Sequence, residues 1–266
     1  MFLIFCRYEL SCIQVNIKIF ERPLVKNILS RNTLLTLACF YLLLFAAESF
    51  PQTKLPAKDT LRYRTNPNYP LQQSMFDIYK TRQADIVMLG NSLTHGAAWN
   101  ELLGRSNVVE RGITSDVLYG YESRISSIYK LNPKIVFIMG GLNDIYNWTP
   151  VDEIFAVYVR IVSGLRSKNI IPVIQSTTYS AKTYGKDWGG TPEGNFGRNR
   201  EVDKLNKLLS DYAKKNNIDY IDLNTLTAGK DGFLRPELSW DGIHFKADAY
   251  KIWVREVEKV LVKHKL

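Results

Sequence analysis

Asp85-Ile-Val-Met-Leu-Gly-Asn-Ser-Leu-Thr94 decides how the rest of the chain is read. Ile86 to Leu89 form a short apolar run without alternation, closed by Gly90 and a polar turn. Such a run suits a strand buried on both faces of a parallel sheet. Similar runs recur at Val108-Val109, ending near Gly112, and at Lys134–Met139, ending at Gly140-Gly141. Ile170–Ile174 and Ile218–Asp222 complete five. Helical spacing fills the gaps, at Val117–Leu131, Val151–Arg166, Val202–Ala213 and Ala249–Val262. In the second of these, Ile154, Val157, Tyr158, Ile161 and Leu165 share one face. The alternation predicts an α/β domain, a three-layer α/β/α sandwich around a five-stranded parallel sheet. Residues 177–199, rich in Gly, Tyr and Trp, read as one long irregular insertion, a length that in compact domains goes with function or mobility.

The full chain has 266 residues, 45% apolar and 23% charged, with a net charge of +9. That balance excludes a disordered chain, a coiled coil and a multi-span membrane protein. Lys and Arg are scattered rather than clustered, and no zinc finger, Arg-rich arm or RNP-type motif is present, so no nucleic-acid partner is expected. Residues 34–47 (LLTLACFYLLLFAA) are too short for a spanning helix of about 20 residues. They match a secretory apolar region of about 7–15, with Lys26 and Arg31 upstream and Ala47-Glu48-Ser49 as a cleavage site. Residues 1–49 therefore read as a signal peptide, with residues 1 to about 24 as an upstream extension of the true start. The alternative is an uncleaved membrane anchor. Export to the periplasm or medium is the expectation. Cys6, Cys12 and Cys39 all fall in this segment, which leaves no disulfide, thiolate nucleophile or Cys-based metal site beyond it. The rest of the chain carries 30 basic and 23 acidic residues, a net +7. Residues 50–80 read as a linker or surface strap, and 81–266 as the domain.

In open α/β sheets the ligand site lies beyond the carboxyl ends of the strands. Ser92 follows the first run, at a strand-to-helix turn that suits either a plain N-cap or a nucleophile with its N–H at a helix start. Gly112 follows the second, where it either makes a turn or lets a backbone N–H approach a ligand. Asn143 follows the third, as a turn residue or an amide donor to an oxyanion. Asp241-Gly-Ile-His244 precedes the last helix, where the histidine is either an ordinary surface or cap residue or an imidazole that the carboxylate, three residues away, can orient. The chain has three histidines: His264 lies at the C-terminus, and His95 has no carboxylate near it in sequence.

Taken in order, GNSLT around Ser92, Gly112, GLND around Asn143 and DGIH ending at His244 resemble the four blocks of the GDSL esterases, or SGNH hydrolases. The resemblance covers residues from about 84 to 262 and implies a flavodoxin-like fold. It implies Ser92 as nucleophile, His244 as general base and then acid, and Asp241 as its orienting carboxylate. The oxyanion hole it implies comprises the N–H groups of Ser92 and Gly112 and the Asn143 amide. No metal or cofactor is implied. Asn91 stands where the family name expects Asp; the triad carboxylate being Asp241, activity is expected to survive this departure.

The expected reaction is hydrolysis of a short-chain ester, acetyl by preference, on a carbohydrate. Tyr146, Trp148, Tyr179, Tyr184, Trp188 and Trp240 offer aromatic faces for sugar rings or acyl chains. The resemblance also admits a lysophospholipase, thioesterase or platelet-activating-factor acetylhydrolase-like activity. A non-catalytic glycan-binding protein on the same fold is the contrasting class. The partner expected is a small-molecule or glycan ester, with the membrane touched only through an uncleaved N-terminal segment.

Overall fold

The structure, a computed structural model, describes residues 62–266. The segment read as a signal peptide, the cysteines and the first part of the 50–80 stretch lie outside those residues. The described part of that stretch forms two helices, α1 (Arg62–Thr65) and α2 (Asn68–Ile78). They are tied to the domain by Asn66, whose amide donates to the Thr114 carbonyl at 2.8 Å, and by Phe76, buried beneath the Arg111 guanidinium.

The domain then runs β1 (Ile86–Gly90), α3 (Ser92–His95), α4 (Trp99–Leu102), β2 (Val108–Gly112), α5 (Leu118–Ser123), α6 (Ile125–Tyr129), β3 (Ile135–Ile138) and α7 (Leu142–Tyr146). It continues with α8 (Val151–Ser167), β4 (Ile171–Gln175), α9 (Pro192–Asn216), β5 (Asp219–Ile221), α10 (Asn224–Thr227) and α11 (Ala247–Lys263). The five strands are all parallel, in the order β2-β1-β3-β4-β5.

The absence of alternation in the strand sequences has a direct cause. Ile86, Met88, Ile135 and Phe137 pack on one face with Trp253, Val257 and Leu261 of α11. Val87, Leu89, Val136 and Ile138 pack on the other, with Val157 and Ile161 of α8 and Leu205 and Leu209 of α9. Both faces are dry, so apolar residues occupy odd and even positions alike. Edge strand β2 departs from the pattern, with Glu110 only half-buried.

Two helix boundaries differ from the sequence reading. The helix expected over 117–131 breaks at Arg124, whose backbone (φ −104°, ψ 8°) leaves the helical region. Its guanidinium is fully buried and donates to the Asp116 carboxylate (3.0 Å), the Arg111 carbonyl (2.9 Å) and the Gly90 carbonyl (3.0 Å). The insertion expected over 177–199 is shorter, because α9 starts at Pro192. Thr191 caps it, accepting the Gly194 N–H at 3.0 Å, and proline is favoured in a first turn. Gly194 and Gly197 disguise that start, since glycine is a poor helix former.

From β1 the chain goes outward to β2, then crosses back to β3 on the other side. The crevice at such a reversal, beyond the carboxyl ends of β1 and β3, is where doubly wound sheets bind ligands. Ser92 follows β1 and Asn143 follows β3, so both stand at that crevice.

Candidate active site

Asn91, not Ser92, caps α3: its side-chain oxygen accepts the Leu93 N–H at 3.0 Å. Ser92 is therefore the first helical residue, with its own N–H at the positive end of the helix and its hydroxyl unused by capping. The hydroxyl meets His244 instead, with Ser92 Oγ 2.9 Å from His244 Nε2. On the far side of the ring, His244 Nδ1 lies 2.5 Å from Asp241 Oδ2. The other carboxylate oxygen, Asp241 Oδ1, accepts the N–H groups of Ile243 (2.9 Å) and His244 (2.8 Å). Both carboxylate oxygens are thus committed, which fixes the carboxylate and favours the tautomer with its proton on Nδ1. Burial pushes the Asp241 carboxyl up, but the hydrogen bonds from the His244 ring and the two N–H groups, with the attraction of the ring, outweigh it and leave it below its ordinary value.

The loop carrying Asp241 and His244 is a tight reversal. Ser239 Oγ donates to the His244 carbonyl (2.8 Å) and accepts the Gly242 N–H (2.8 Å), while the Lys246 N–H closes onto the Leu238 carbonyl (2.8 Å). The Trp240 ring, exposed at its outer side, stacks nearly parallel on the imidazole with centroids 5.5 Å apart.

Asn143 is placed by Gly141, the N-cap of α7, at φ 103°. A side chain there is doubly barred: by the left-handed backbone, and by Leu205 at 2.6 Å from where a Cβ would sit. One N–H of the Asn143 amide donates to the Asp116 carbonyl at 2.8 Å, which orients the group and leaves its second N–H for a ligand.

Gly112 behaves differently from the expectation. Its N–H donates to the Glu110 carboxylate, a group that also lies 3.6 Å from His95 Nδ1. The N–H expected to face an oxyanion is therefore taken by a neighbouring side chain. The space Gly112 keeps open serves packing: a Cβ would stand 2.6 Å from the Asn91 carbonyl oxygen and from the His95 nitrogen. A turn follows, Ile113–Asp116, closed by the Asp116 N–H on the Ile113 carbonyl (3.1 Å). Ser115, exposed in that turn at φ 61°, precedes the residue whose carbonyl holds Asn143, and its N–H donates to no group among the described residues. Sequence reasoning passed over Ser115 because serine carries none of the signal that Gly or Asn gives at positive φ.

The remaining residues singled out in the sequence fall in several places. His95 faces Glu110 and not the serine. His264 is bound to Asp219 Oδ2 at 2.6 Å and so anchors the C-terminus to β5. Tyr146 and Tyr184 meet edge to face, with centroids 5.3 Å apart, and Tyr184 lies against Gly242, next to Asp241. Trp148 is exposed beneath the Arg198 guanidinium. Tyr179 turns away to Asp203 and lines a separate cleft with Tyr220. The Trp188 side chain lies outside the described ones. Among the described residues no group of three or more His, Cys, Asp or Glu could hold a metal ion, and no helix is long and apolar enough to cross a membrane.

The same arrangement of strands is found in solved structures. A GDSL-like lipase from Bacteroides thetaiotaomicron superposes with a TM-score of 0.63 at 20% identity, over 74% of this chain and 98% of its own. The acetylxylan esterase Axe2 of Geobacillus stearothermophilus gives 0.51 at 16% identity, over 66% and 93%. In sequence, the chain is 25% identical over 184 residues to an N-acylneuraminate cytidylyltransferase of Streptococcus agalactiae. That match takes in 66% of this chain but 40% of the relative, so the chain spans about two-fifths of that protein's length. The GDSL-like lipase/acylhydrolase family model matches residues 88–252, from the middle of β1 into α11, and the chain belongs to that family.

Proposed function

We propose that this protein is a serine esterase that removes short acyl groups, acetyl by preference, from carbohydrate esters. The observation that carries the reading is the continuous line from Asp241 Oδ2 through the His244 ring to Ser92 Oγ, with contacts of 2.5 and 2.9 Å. Ser92 Oγ attacks the ester carbonyl carbon while His244 Nε2 takes its proton, and Asp241 stabilises the resulting imidazolium. The negative charge that forms on the carbonyl oxygen meets the Ser92 N–H and the free N–H of Asn143. The Ser115 N–H takes the place expected of Gly112. The carbon–oxygen bond to the alcohol then breaks, and His244 returns the proton to the leaving oxygen. Water, deprotonated by His244, attacks the acyl-serine and releases the acid.

The carbohydrate preference rests on Trp240, which presents an open aromatic face beside the imidazole, and on the acetylxylan esterase among the structural neighbours. We further propose that the protein is exported through its N-terminal segment, which N-terminal sequencing of the native protein tests.

The test of function is an ester panel on wild-type and Ser92→Ala protein, with p-nitrophenyl acetate to octanoate, acetylated xylose, acetylated sialic acid and a lysophospholipid. The expected result is a sharp fall beyond four carbons and loss of turnover in Ser92→Ala with the fold unchanged. Turnover of p-nitrophenyl acetate by Ser92→Ala at the wild-type rate would overturn the assignment. Better turnover of octanoate or lysolipid would replace the carbohydrate reading with a lipid one.

A further inference from the structure

Helix α2 carries apolar side chains on two opposite faces. Toward the domain, Phe76 is buried beneath Arg111 and the Tyr69 hydroxyl donates to the Gly120 carbonyl at 3.2 Å. On the other side Leu71, Met75 and Ile78, at helical spacing, form one stripe. Leu71 is 67% exposed and Ile78 65%, and Met75 is exposed with them. Scattered exposed apolar residues are ordinary, but a stripe turned away from the core is a face without its partner.

The end of the same helix opens on a group of cations. A cleft of about 180 Å³ lies between Phe76 and Tyr79 on one side and Arg82, Arg111 and Lys130 on the other. Asp77 is the one carboxylate in its lining among the described residues, so three positive charges meet one negative. Arg82 and Lys130 are exposed and form no ion pair among the described residues. Arg111 is buried, stacks on the Phe76 and Tyr79 rings at 4.9 and 5.5 Å, and donates to the Glu110 carbonyl at 2.7 Å. The Glu110 carboxylate is turned to the Gly112 N–H and His95, so no ion pair holds this guanidinium. Sites for drug-sized ligands measure roughly 300–1,000 Å³, so this smaller cleft suits one compact anionic group, such as a phosphate, for which Arg is a natural donor.

The apolar run 34–47 is separated from α1 in sequence by residues 48–61 alone, a span of at most about 50 Å when extended. A chain led to a bilayer by that run arrives with α2 close to the lipid surface. A second copy of the chain could cover the stripe but would leave the cations unanswered, whereas an anionic lipid surface answers both.

We propose that α2 docks on an anionic lipid bilayer, with Leu71, Met75 and Ile78 at the boundary of headgroups and acyl chains and a lipid phosphate in the cleft between Arg82, Arg111 and Lys130. The inference is independent of the reaction at Ser92. Each cation near such a surface contributes about five-fold, so Arg82→Gln, Lys130→Gln should weaken docking about 25-fold. Salt at 1 M, which shortens the reach of exposed charges to about 3 Å, should do as much. Leu71→Gln, Met75→Gln should weaken docking by about ten-fold or more. All four side chains are exposed, so Tm should stay at the wild-type value in both double variants.

The experiment uses the full chain with Ile78→Trp, which keeps the position apolar and adds a reporter, on vesicles whose brominated acyl chains quench tryptophan at short range. Leu226→Trp is the control, since Leu226 is exposed on α10, which follows β5 at the sheet edge opposite β2. On vesicles of equimolar phosphatidylcholine and phosphatidylglycerol, the emission added by Ile78→Trp should be quenched and that added by Leu226→Trp should not. Both pairs of glutamine substitutions, made in the Ile78→Trp protein, should raise the lipid concentration needed by the factors given. Equal quenching at the two positions, none at 78, or quenching as strong on phosphatidylcholine alone would overturn the inference, as would quenching unmoved by Arg82→Gln, Lys130→Gln. A dimer in vesicle-free sedimentation velocity that Leu71→Gln, Met75→Gln dissolves would overturn it too, and would give the face to a second copy.

Discussion

Replacing Arg124 by methionine tests how the site is held together. The guanidinium and its Asp116 partner are both fully shielded from solvent, 3.0 Å apart, and the guanidinium also reaches the carbonyls of Gly90 and Arg111. Those carbonyls stand at the carboxyl ends of β1 and β2. In Arg124→Met the Asp116 carboxylate keeps the Val117 N–H at 3.0 Å and loses its cation. Breaking one side of a buried pair costs about 3–5 kcal/mol, which for a domain of this size lowers Tm by roughly 6–20 °C. The cost should also depend on pH. Burial pushes the Asp116 carboxyl up to about 6 against the pull of Arg124, and removing that pull raises it further. A carboxyl raised on folding gives its full contribution below its unfolded value and loses it as pH rises through the folded one. In the wild type the loss is complete somewhat above pH 6; in the variant it continues to higher pH. The gap between the two proteins is therefore wider at pH 8 than at pH 5. Urea unfolding followed by tryptophan fluorescence at both pH values measures it. Adding Asp116→Asn to the variant removes the stranded charge and should recover most of the loss. A variant within 1 kcal/mol of wild type at pH 8, or a double variant no more stable than the single one, would refute this account.

Three further outcomes are expected. Asn143→Ala should lower kcat by about 10²–10³-fold with KM little changed, as removal of an oxyanion donor does, and steady-state kinetics on p-nitrophenyl acetate read it. Gly112→Ala forces a Cβ to 2.6 Å from two backbone atoms, the Asn91 oxygen and the His95 nitrogen, so α3 must shift. Both Tm and kcat should fall, with the Gly112 N–H engaged by Glu110 in the unliganded protein. Asp241 is held below its ordinary value, so its contribution to stability is present above about pH 4 and fades as pH drops through the lowered one. The Tm difference between wild type and Asp241→Asn, measured from pH 6 to pH 2.5, should shrink below pH 4.

The parts of the molecule that could be read in the sequence are those where one local rule decides. Ile86–Leu89 and Ile135–Ile138 are apolar without alternation because both their faces are covered, and that is visible in four letters. Ser92 and Asn143 could be singled out because each follows a strand end, and Asp241 with His244 because they form a local pair, which the structure brings to Ser92. The surroundings of Gly112 and the backbone of Ser115 show where local reading stops. A glycine after a strand is consistent with a ligand contact, but the side chain that occupies its N–H, Glu110, acts through geometry that spacing does not encode. Ser115 adopts a left-handed backbone for which serine gives no signal. Arg124 lies eight residues from Asp116 inside a segment that reads as one helix, and nothing in the sequence says that its side chain turns inward.

That buried arginine explains why the proposed site needs more than Ser92, His244 and Asp241. A well-packed apolar pair in place of Arg124 and Asp116 could be equally stable, since burying two charges costs about as much as their attraction returns. Apolar side chains cannot, however, join three backbone segments at once. Arg124 links the end of β1, which launches Ser92, to the end of β2 and, through Asp116, to the turn carrying Ser115. The Asp116 carbonyl in turn holds the Asn143 amide, which comes from the end of β3. Ser92 and the groups proposed to receive negative charge are thus linked by one connected set of hydrogen bonds, buried around Arg124 and part-buried at Asn143. Such a set matters for rate, because donors fixed before the charge develops need no reorganisation when it does. It follows that the Arg124→Met, Asp116→Asn double variant should fold well and still turn over slowly, with stability and catalysis separated in one protein.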